Sequence, residues 1–190
     1  MAEQNTPQKI DNSALVEAIA EMRKINGAED RDAFNQATNK IINIALRSTF
    51  LVPAMIEKNT ELVADADNHV KFQDKQSAKF ILINHKERGS FFPVFTEEEE
   101  IKKLKTDKPF QIVKMKFPDI AGLTENTPNV NGFVINAFNQ NLPFTKDMLA
   151  QIKQTLIRVN KERAAAKAAA ESGEQPNITV SSADDADSNE

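Results

Sequence analysis

The feature that most constrains the fold is the spacing of apolar residues, which changes twice along the chain. Up to Leu46 they recur every three or four positions, as in amphipathic helices. From 49 to 138, short β-branched and apolar runs separated by turn residues indicate strands. Helical spacing returns from 145 to 159. The pattern predicts an α+β domain whose single mixed or mostly antiparallel sheet has helices packed against it, flanked by an N-terminal and a C-terminal helix.

Proline and glycine bound the predicted strands. A first strand is expected at 49–52, ended by Pro53, and residues 57–68 are expected to be weakly structured. The runs FILINH and FFPVF are predicted to form a hairpin around KERGS, where Gly89 can adopt a positive φ. Pro93 cannot donate to a ladder, so it is expected at an edge or a bulge.

Charge separates a nearly neutral domain from an acidic tail. The net charge is −4, and residues 172–190 contain five acidic side chains and no basic one. Polar, low-complexity ends of this kind do not bury enough apolar surface to fold. The predicted organisation is a disordered N-terminus at 1–11, an N-terminal helix at 12–28, a domain at 30–160, an exposed alanine-rich helix extension at 161–172 and a disordered acidic tail at 173–190.

Four consecutive glutamates, Glu97 to Glu100, follow the strand FFPVF. Thr96 and Glu99 have the spacing of a capping box, in which each side chain bonds the other residue's backbone amide. Acidic residues in a first turn are also favoured by the helix dipole. Successive helical side chains point about 100° apart, so these four do not converge on one ion. The run therefore predicts a helix start and not a metal site.

Several chemistries lack their usual residues. The chain has 12 Phe but no Cys, which excludes disulfides, thiolate metal sites and a cysteine nucleophile. No nucleophile elbow or phosphate-binding glycine loop occurs, and His69 and His85 are interpreted as polar loop and turn residues. We therefore expect no cofactor, no metal and no enzyme. The alternative left open is a hydrolase or other enzyme that uses a carboxylate-lined cleft.

Charge indicates whether the chain binds nucleic acid, and hydropathy indicates its cellular location. Six lysines lie between 102 and 116, but the domain is almost neutral and shows no basic–aromatic interleaving, so nucleic-acid binding is not expected. The N-terminus does not resemble a signal peptide, and no apolar run is long enough to cross a bilayer. The chain is expected to be cytoplasmic and to have no membrane contact.

Asn136 is a polar residue at the end of the apolar run FVIN. A side chain in that position is expected to be partly buried and to need hydrogen-bond partners. It is interpreted as a turn-stabilising residue. The functional alternative is a polar contact in a partner or ligand groove, beside Phe138 and the Phe95–Thr96 junction.

The order of the short motifs resembles the N-terminal domain of the SseB family. These motifs are the Val52-Pro53 pair in STFLVPA, the strand FPVFT leading into a short helix, the Asn136-Ala137 pair, and the helix from Thr145 to Ile152. Together they cover about residues 30 to 158. Two-domain members continue into a second domain, whereas this sequence continues into an alanine-rich segment and the acidic tail.

The resemblance implies an interaction role. The family name refers to enhanced serine sensitivity in bacteria, a phenotype that defines no biochemical activity. We therefore expect a non-catalytic module that binds an unidentified protein partner, and self-association through the terminal helices is a further expectation. The residues expected to bind the partner are Phe95, Thr96, Asn136 and Phe138.

Overall fold

The computed structural model describes residues 10–64 and 70–171, and it describes side chains for 10–57 and 77–168. His69, most of the predicted disordered N-terminus and the whole predicted acidic tail lie outside the described residues. Within them, the elements in chain order are α1 (Ser13–Met22), α2 (Arg31–Ala45), β1 (Thr49–Ala64), β2 (Val70–Phe80), β3 (Ile83–His85), β4 (Gly89–Val94), α3 (Glu98–Ile101), β5 (Gln111–Lys116), α4 (Phe117–Asn126), β6 (Val130–Ile135), β7 (Leu142–Thr145) and α5 (Lys146–Glu171).

Helices α1 and α2 pack against each other, as their amphipathic spacing predicts. Asp30 caps α2, because its carboxylate accepts a hydrogen bond of 2.9 Å from the backbone N–H of Ala33. The exposed carboxylate of Glu21 in α1 meets the Lys40 ammonium in α2 at 2.8 Å. This hydrogen bond, together with the positive charge, lowers the pKa of Glu21. An ion pair so exposed contributes little to stability.

The strands form two sheets and not the single sheet that we predicted. The first has the order β2-β1-β5 and is antiparallel. The second has the order β3-β4-β6-β7; it is mixed because β4 and β6 run parallel. Within the described residues, a single antiparallel bridge between Leu51 and Phe95 joins β1 to the chain just after β4. The α+β class is confirmed, and the number of sheets is the correction.

Two prolines account for the split. Leu51 and Phe95 exchange both backbone hydrogen bonds, each 2.9 Å long. Continuing that antiparallel register by two residues would place Pro53 opposite Pro93. Neither proline has an N–H to donate, so the ladder between β1 and β4 ends after one bridge.

We predicted that Pro53 ends β1, but the strand continues to Ala64. The missing N–H of Pro53 interrupts only one edge of the strand, and from Ala54 onward β2 pairs along that edge. Residues 57–64, expected to be weakly structured, therefore belong to a long antiparallel ribbon. The predicted hairpin is confirmed: β3 and β4 pair around a turn in which Gly89 has φ = 83°.

A cluster of aromatic rings forms the core beneath the second sheet. Phe133 of β6 stacks on Phe144 of β7 at a centroid distance of 5.1 Å. Phe117 of α4 meets both rings edge-on, at 5.4 and 5.2 Å. The three rings are buried. Phe thus provides the large core volume in a chain that lacks Trp and Tyr.

The chain divides into two units, Met1–Leu149 and Ala150–Glu190. The described part of the second unit is the remainder of α5. It exposes 39% of Leu156 and 61% of Ile157, and residues 161–168 are exposed along its alanine-rich stretch. No helix in the described ranges combines the length and apolar character needed to cross a bilayer.

Candidate functional site

The candidate site lies where the parallel strands β4 and β6 end. Phe95 and Thr96 follow β4, and Asn136 follows β6. The backbone N–H of Asn136 donates to the carbonyl of Val94 at 2.9 Å, which holds the two strand ends side by side. The carboxyl ends of parallel strands face the same edge of a sheet, so residues 40 positions apart in sequence become neighbours.

Asn136 is the centre of a buried hydrogen-bond network. Its Oδ1 accepts from the backbone N–H of Thr96 at 3.0 Å, and its Nδ2 donates to the Thr96 hydroxyl at 2.8 Å. The same Nδ2 donates to Oε1 of Gln140. The residue is fully buried at φ = 47°, a left-handed conformation that Asn tolerates better than most residues. The expected hydrogen bonding of Asn136 is confirmed, and the residue is fully buried where partial burial was expected.

Asn12 connects the N-terminal helix to this network. Its buried Nδ2 donates to the carbonyl of Thr49 at 2.9 Å and to the carbonyl of Thr96 at 3.0 Å. One side chain just before α1 therefore bonds both the start of β1 and the residue that Asn136 holds. This contact joins the start of α1 to the domain, and the boundary predicted between this helix and residues 30–160 stays a prediction.

In the loop of residues 136–141, called here the Phe138 loop, three amide side chains form hydrogen bonds within the domain. Besides Asn136 and Gln140, Asn139 donates from Nδ2 to Oε1 of Glu100 at 3.0 Å. The remaining large side chain, Phe138, stacks on the buried Phe95 at a centroid distance of 6.3 Å and stays 47% exposed. The loop therefore presents an aromatic ring from a backbone that several hydrogen bonds hold in place.

The acidic run starts a helix, but not through the capping box we predicted. The N-cap of α3 is Glu97, with no side-chain capping bond, and the Thr96 hydroxyl accepts from Asn136 instead. Glu99 forms an exposed ion pair with Lys102, and this hydrogen bond, with the negative charge, raises the pKa of Lys102.

Glu100 differs from its neighbours because its side chain is only 6% exposed. Its Oε1 accepts from Lys103 at 2.6 Å and from Asn139 at 3.0 Å. Its Oε2 is buried and has no partner among the described residues. Glu100 thus faces the Phe138 loop and holds it, a role that the sequence alone does not distinguish among four adjacent glutamates.

A groove next to Phe138 crosses one face of the second sheet; we call it the sheet groove. Its volume is about 330 Å³. Each strand of the sheet contributes one apolar residue to it: Ile83, Phe91, Val134 and Pro143. Ile83 pairs with Phe91, and Val134 pairs with Pro143, so the four side chains belong to one face of the sheet. Phe138 lies at the end of the groove where β4 and β6 finish.

The polar rim of the sheet groove consists of Arg88, His85 and two amides, Asn84 and Asn141. Arg88 and His85 lie at the turn between β3 and β4, and Asn141 ends the Phe138 loop. His85 accepts at Nδ1 from the backbone N–H groups of Glu87 and Arg88, at 3.2 and 3.3 Å. In the neutral ring the proton is therefore on Nε2, which is a donor.

The structure brings together all four residues that we predicted to bind a partner. Phe95, Thr96 and Asn136 are buried, so they support the surface, and Phe138 is the member exposed to solvent. The floor of the sheet groove was not predicted. The runs FFPVF and GFVI are apolar at almost every position, so alternation does not reveal which of their residues face the groove.

A second cleft, of about 680 Å³, lies between α1 and the start of α3. Three carboxylates line it: Asp11, Glu17 and Glu97. The described residues contain no group of three or more acidic or histidine side chains placed to hold a metal ion. This cleft is the feature closest to the carboxylate-lined site that the enzyme alternative requires.

Comparison with curated proteins gave no match, and neither did comparison with solved structures. A family model, described as the SseB protein N-terminal domain, matches residues 15–151. The match begins inside α1 and ends inside α5, so it includes both strands and loops of the candidate site. It also covers well over half of the chain. The protein therefore belongs to the SseB family, as its motifs suggested.

Proposed function

We propose that this domain is a non-catalytic, cytoplasmic protein-interaction module of the SseB type, which binds its partner through Phe138 and the sheet groove. The observation that carries the proposal is Phe138 itself. A large aromatic side chain is 47% exposed, although the loop that bears it is fixed by buried hydrogen bonds. A ring held in this way loses little conformational freedom when a partner covers it.

The surroundings of Phe138 have the composition of an interface centre. Aromatic residues and Arg are enriched at positions that contribute most to binding, and apolar pockets next to them exclude water. Phe138 adjoins the apolar floor of the sheet groove, and Arg88 lies at its rim. The amide groups of Asn136, Asn139 and Gln140 are engaged in hydrogen bonds within the domain, so Phe138 is the side chain of this loop best placed to contact a partner.

Site-specific photo-crosslinking tests the proposal. A benzophenone amino acid replaces Phe138, and in a separate variant it replaces Phe34 on α2, which is 37% exposed. In cells that naturally contain the protein, we expect the position-138 probe to form a discrete adduct with one partner protein. The matched probe at position 34 is expected to give no such adduct.

Purified components then provide the quantitative result. Once the crosslinked partner is purified, its binding to the Phe138→Ala variant can be measured. This variant is expected to bind the partner about 10- to 30-fold more weakly, because an exposed aromatic anchor contributes about 2 kcal/mol when covered. Phe34→Ala is expected to change the affinity less than about twofold, the range of contacts outside an interface. Equal losses for the two variants, or identical adducts from both probes, would contradict the proposal.

The enzyme alternative relies on a different place, the carboxylate-lined cleft at α1. Asp11 is already engaged there, since its carboxylate accepts from the backbone N–H and the hydroxyl of Ser13. A hydrolase using this cleft would lose turnover when Glu17 or Glu97 becomes Gln, and its turnover would not depend on Phe138. An activity with that dependence would favour the enzyme over the interaction module.

We also propose self-association through α5. Leu156 and Ile157 are large apolar side chains exposed on this helix. Ile157→Lys is expected to lower the apparent mass measured by light scattering toward that of one chain, because a buried lysine is costly. The control is Ala164→Lys, farther along the same exposed helix. A mass that does not change with Ile157→Lys would show that this part of the helix is not an interface.

A further inference from the structure

We propose that the sheet groove binds an extended segment of the partner in which a large apolar side chain and an Asp or Glu side chain are four to six residues apart. The carboxylate would meet Arg88, and the apolar side chain would pack beside Phe138. This inference rests on the proposed interaction function and specifies the chemistry of the partner.

The first argument is charge. None of the ten residues that line the sheet groove is acidic. Arg88 forms no ion pair with the part of the chain that the structure describes, and its side chain has only donors to offer. His85 adds a donor at Nε2. A carboxylate, which accepts several hydrogen bonds and pairs bidentately with a guanidinium, matches this end of the groove.

The second argument is the position of the two ends. Arg88 immediately precedes β4, and Phe138 stacks on Phe95, which immediately follows β4. The six residues of this strand span about 20 Å at 3.3 Å per residue. A partner segment extended along the groove would cover that span with about six residues, and fewer where the Arg88 and Phe138 side chains lean inward. The spacing of four to six residues follows from this length.

The third argument is the floor between those ends. One apolar residue from each strand forms it, and no charged side chain interrupts it. Neighbouring strands are about 4.8 Å apart, so the floor from β3 to β7 is about 14 Å wide. Phe91 and Val134 in the middle of the floor are only 4% and 5% exposed. A segment in the groove would therefore touch the floor mainly at Ile83 and Pro143. An acidic group in the middle of the segment would be desolvated without a partner, so the carboxylate belongs at the Arg88 end.

The test uses defined peptides and backbone amide NMR of the full-length protein labelled with ¹⁵N. The probes are eight-residue peptides with capped termini that contain one Leu and one Glu five residues apart in a Ser/Gly background. Matched probes carry Gln in place of Glu. We expect the Glu peptide to shift amides of residues 85–89 and of the Phe138 loop, and to bind at least fivefold more tightly than the Gln peptide.

Two variants make the result specific. Arg88→Gln is expected to reduce binding of the Glu peptide to the level of the Gln peptide, while leaving the Gln peptide unaffected. Lys86→Gln, in the same turn but outside the groove lining, is expected to change neither. The unperturbed spectra of both variants will show that they are folded.

Two outcomes would overturn the inference. These are equal binding of the Glu and Gln peptides, and amide shifts at residues outside the sheet groove. Each of them leaves the crosslinking result at Phe138 untouched, so the partner chemistry can fail while the interaction function stands. Loss of the position-138 adduct would instead contradict the interaction function itself.

Discussion

Replacing Asn136 with Ala is expected to lower the free energy of unfolding by about 3–5 kcal/mol, as measured by urea denaturation. Two buried groups of Thr96, its N–H and its hydroxyl, lose their partner. An unsatisfied buried polar group costs about 1–3 kcal/mol. The left-handed backbone at φ = 47° adds about 1 kcal/mol of strain for Ala.

Two further variants separate these causes. Asn136→Gly removes the same side-chain bonds but accepts the positive φ, so its loss is expected to be about 1 kcal/mol smaller. Asn141→Ala tests the strain alone, because Asn141 has φ = 43° on the exposed end of the same loop and makes no side-chain bond described in the structure. It is expected to cost about 1 kcal/mol. A similar small loss for Asn136→Ala would mean that the buried network contributes little.

The Phe138 loop also couples this stability to binding. If the inward amides fix the ring, Asn136→Gly will retain the fold at low temperature and still weaken partner binding, although Asn136 itself is buried. Asn136→Gly is therefore expected to lower both the free energy of unfolding and the affinity for the partner. Phe138→Ala removes the anchor and leaves the network intact, so it is expected to lower mainly the affinity. Comparing the two variants distinguishes positioning of the ring from direct contact with the partner.

Local patterns predicted α1, α2, α3, α5 and most strand positions, since the spacing of apolar residues is a property of short segments, but they did not predict the full length of α4. They failed at Thr96. The Thr-x-x-Glu pattern is a sound local indication of a capping box, but Asn136 supplies a stronger competitor from 40 positions away. Asn136 was predictable because a polar residue at the end of an apolar strand must find partners. Which partner it finds depends on the parallel pairing of β4 with β6, which the sequence does not reveal.

The number of sheets was predicted wrongly for a related reason. Pro53 and Pro93 were each recognised as unable to donate a hydrogen bond, and each was assigned a separate effect on its own strand. Their joint effect depends on the antiparallel register that joins Leu51 to Phe95, because only that register places them opposite each other. Pairwise register is long-range information, so a correct prediction for each residue did not give the correct sheet.

The second large effect is expected at Gly132, because β6 and β7 approach each other closely there. A Cβ added at Gly132 would clash with the carbonyl oxygen of Phe144 and lie 2.9 Å from Cα of Thr145. Both atoms belong to the backbone of β7, so no side-chain rotation relieves the clash. Gly132→Ala is expected to cost about 3 kcal/mol or more, since overpacking that moves a backbone lies at the high end of such losses.

Gly122 is the matched control, because a Cβ added there would meet no atom within 4 Å. It lies inside α4, where Ala is favoured over Gly by about 0.5–1 kcal/mol. The same glycine-to-alanine change is thus expected to destabilise at position 132 and to stabilise at position 122, in urea or thermal unfolding. Because β7 carries Pro143 of the sheet groove, Gly132→Ala should also disturb the groove floor and weaken peptide binding. A Gly132→Ala protein as stable as the unmodified chain would contradict the close β6–β7 packing on which that floor depends.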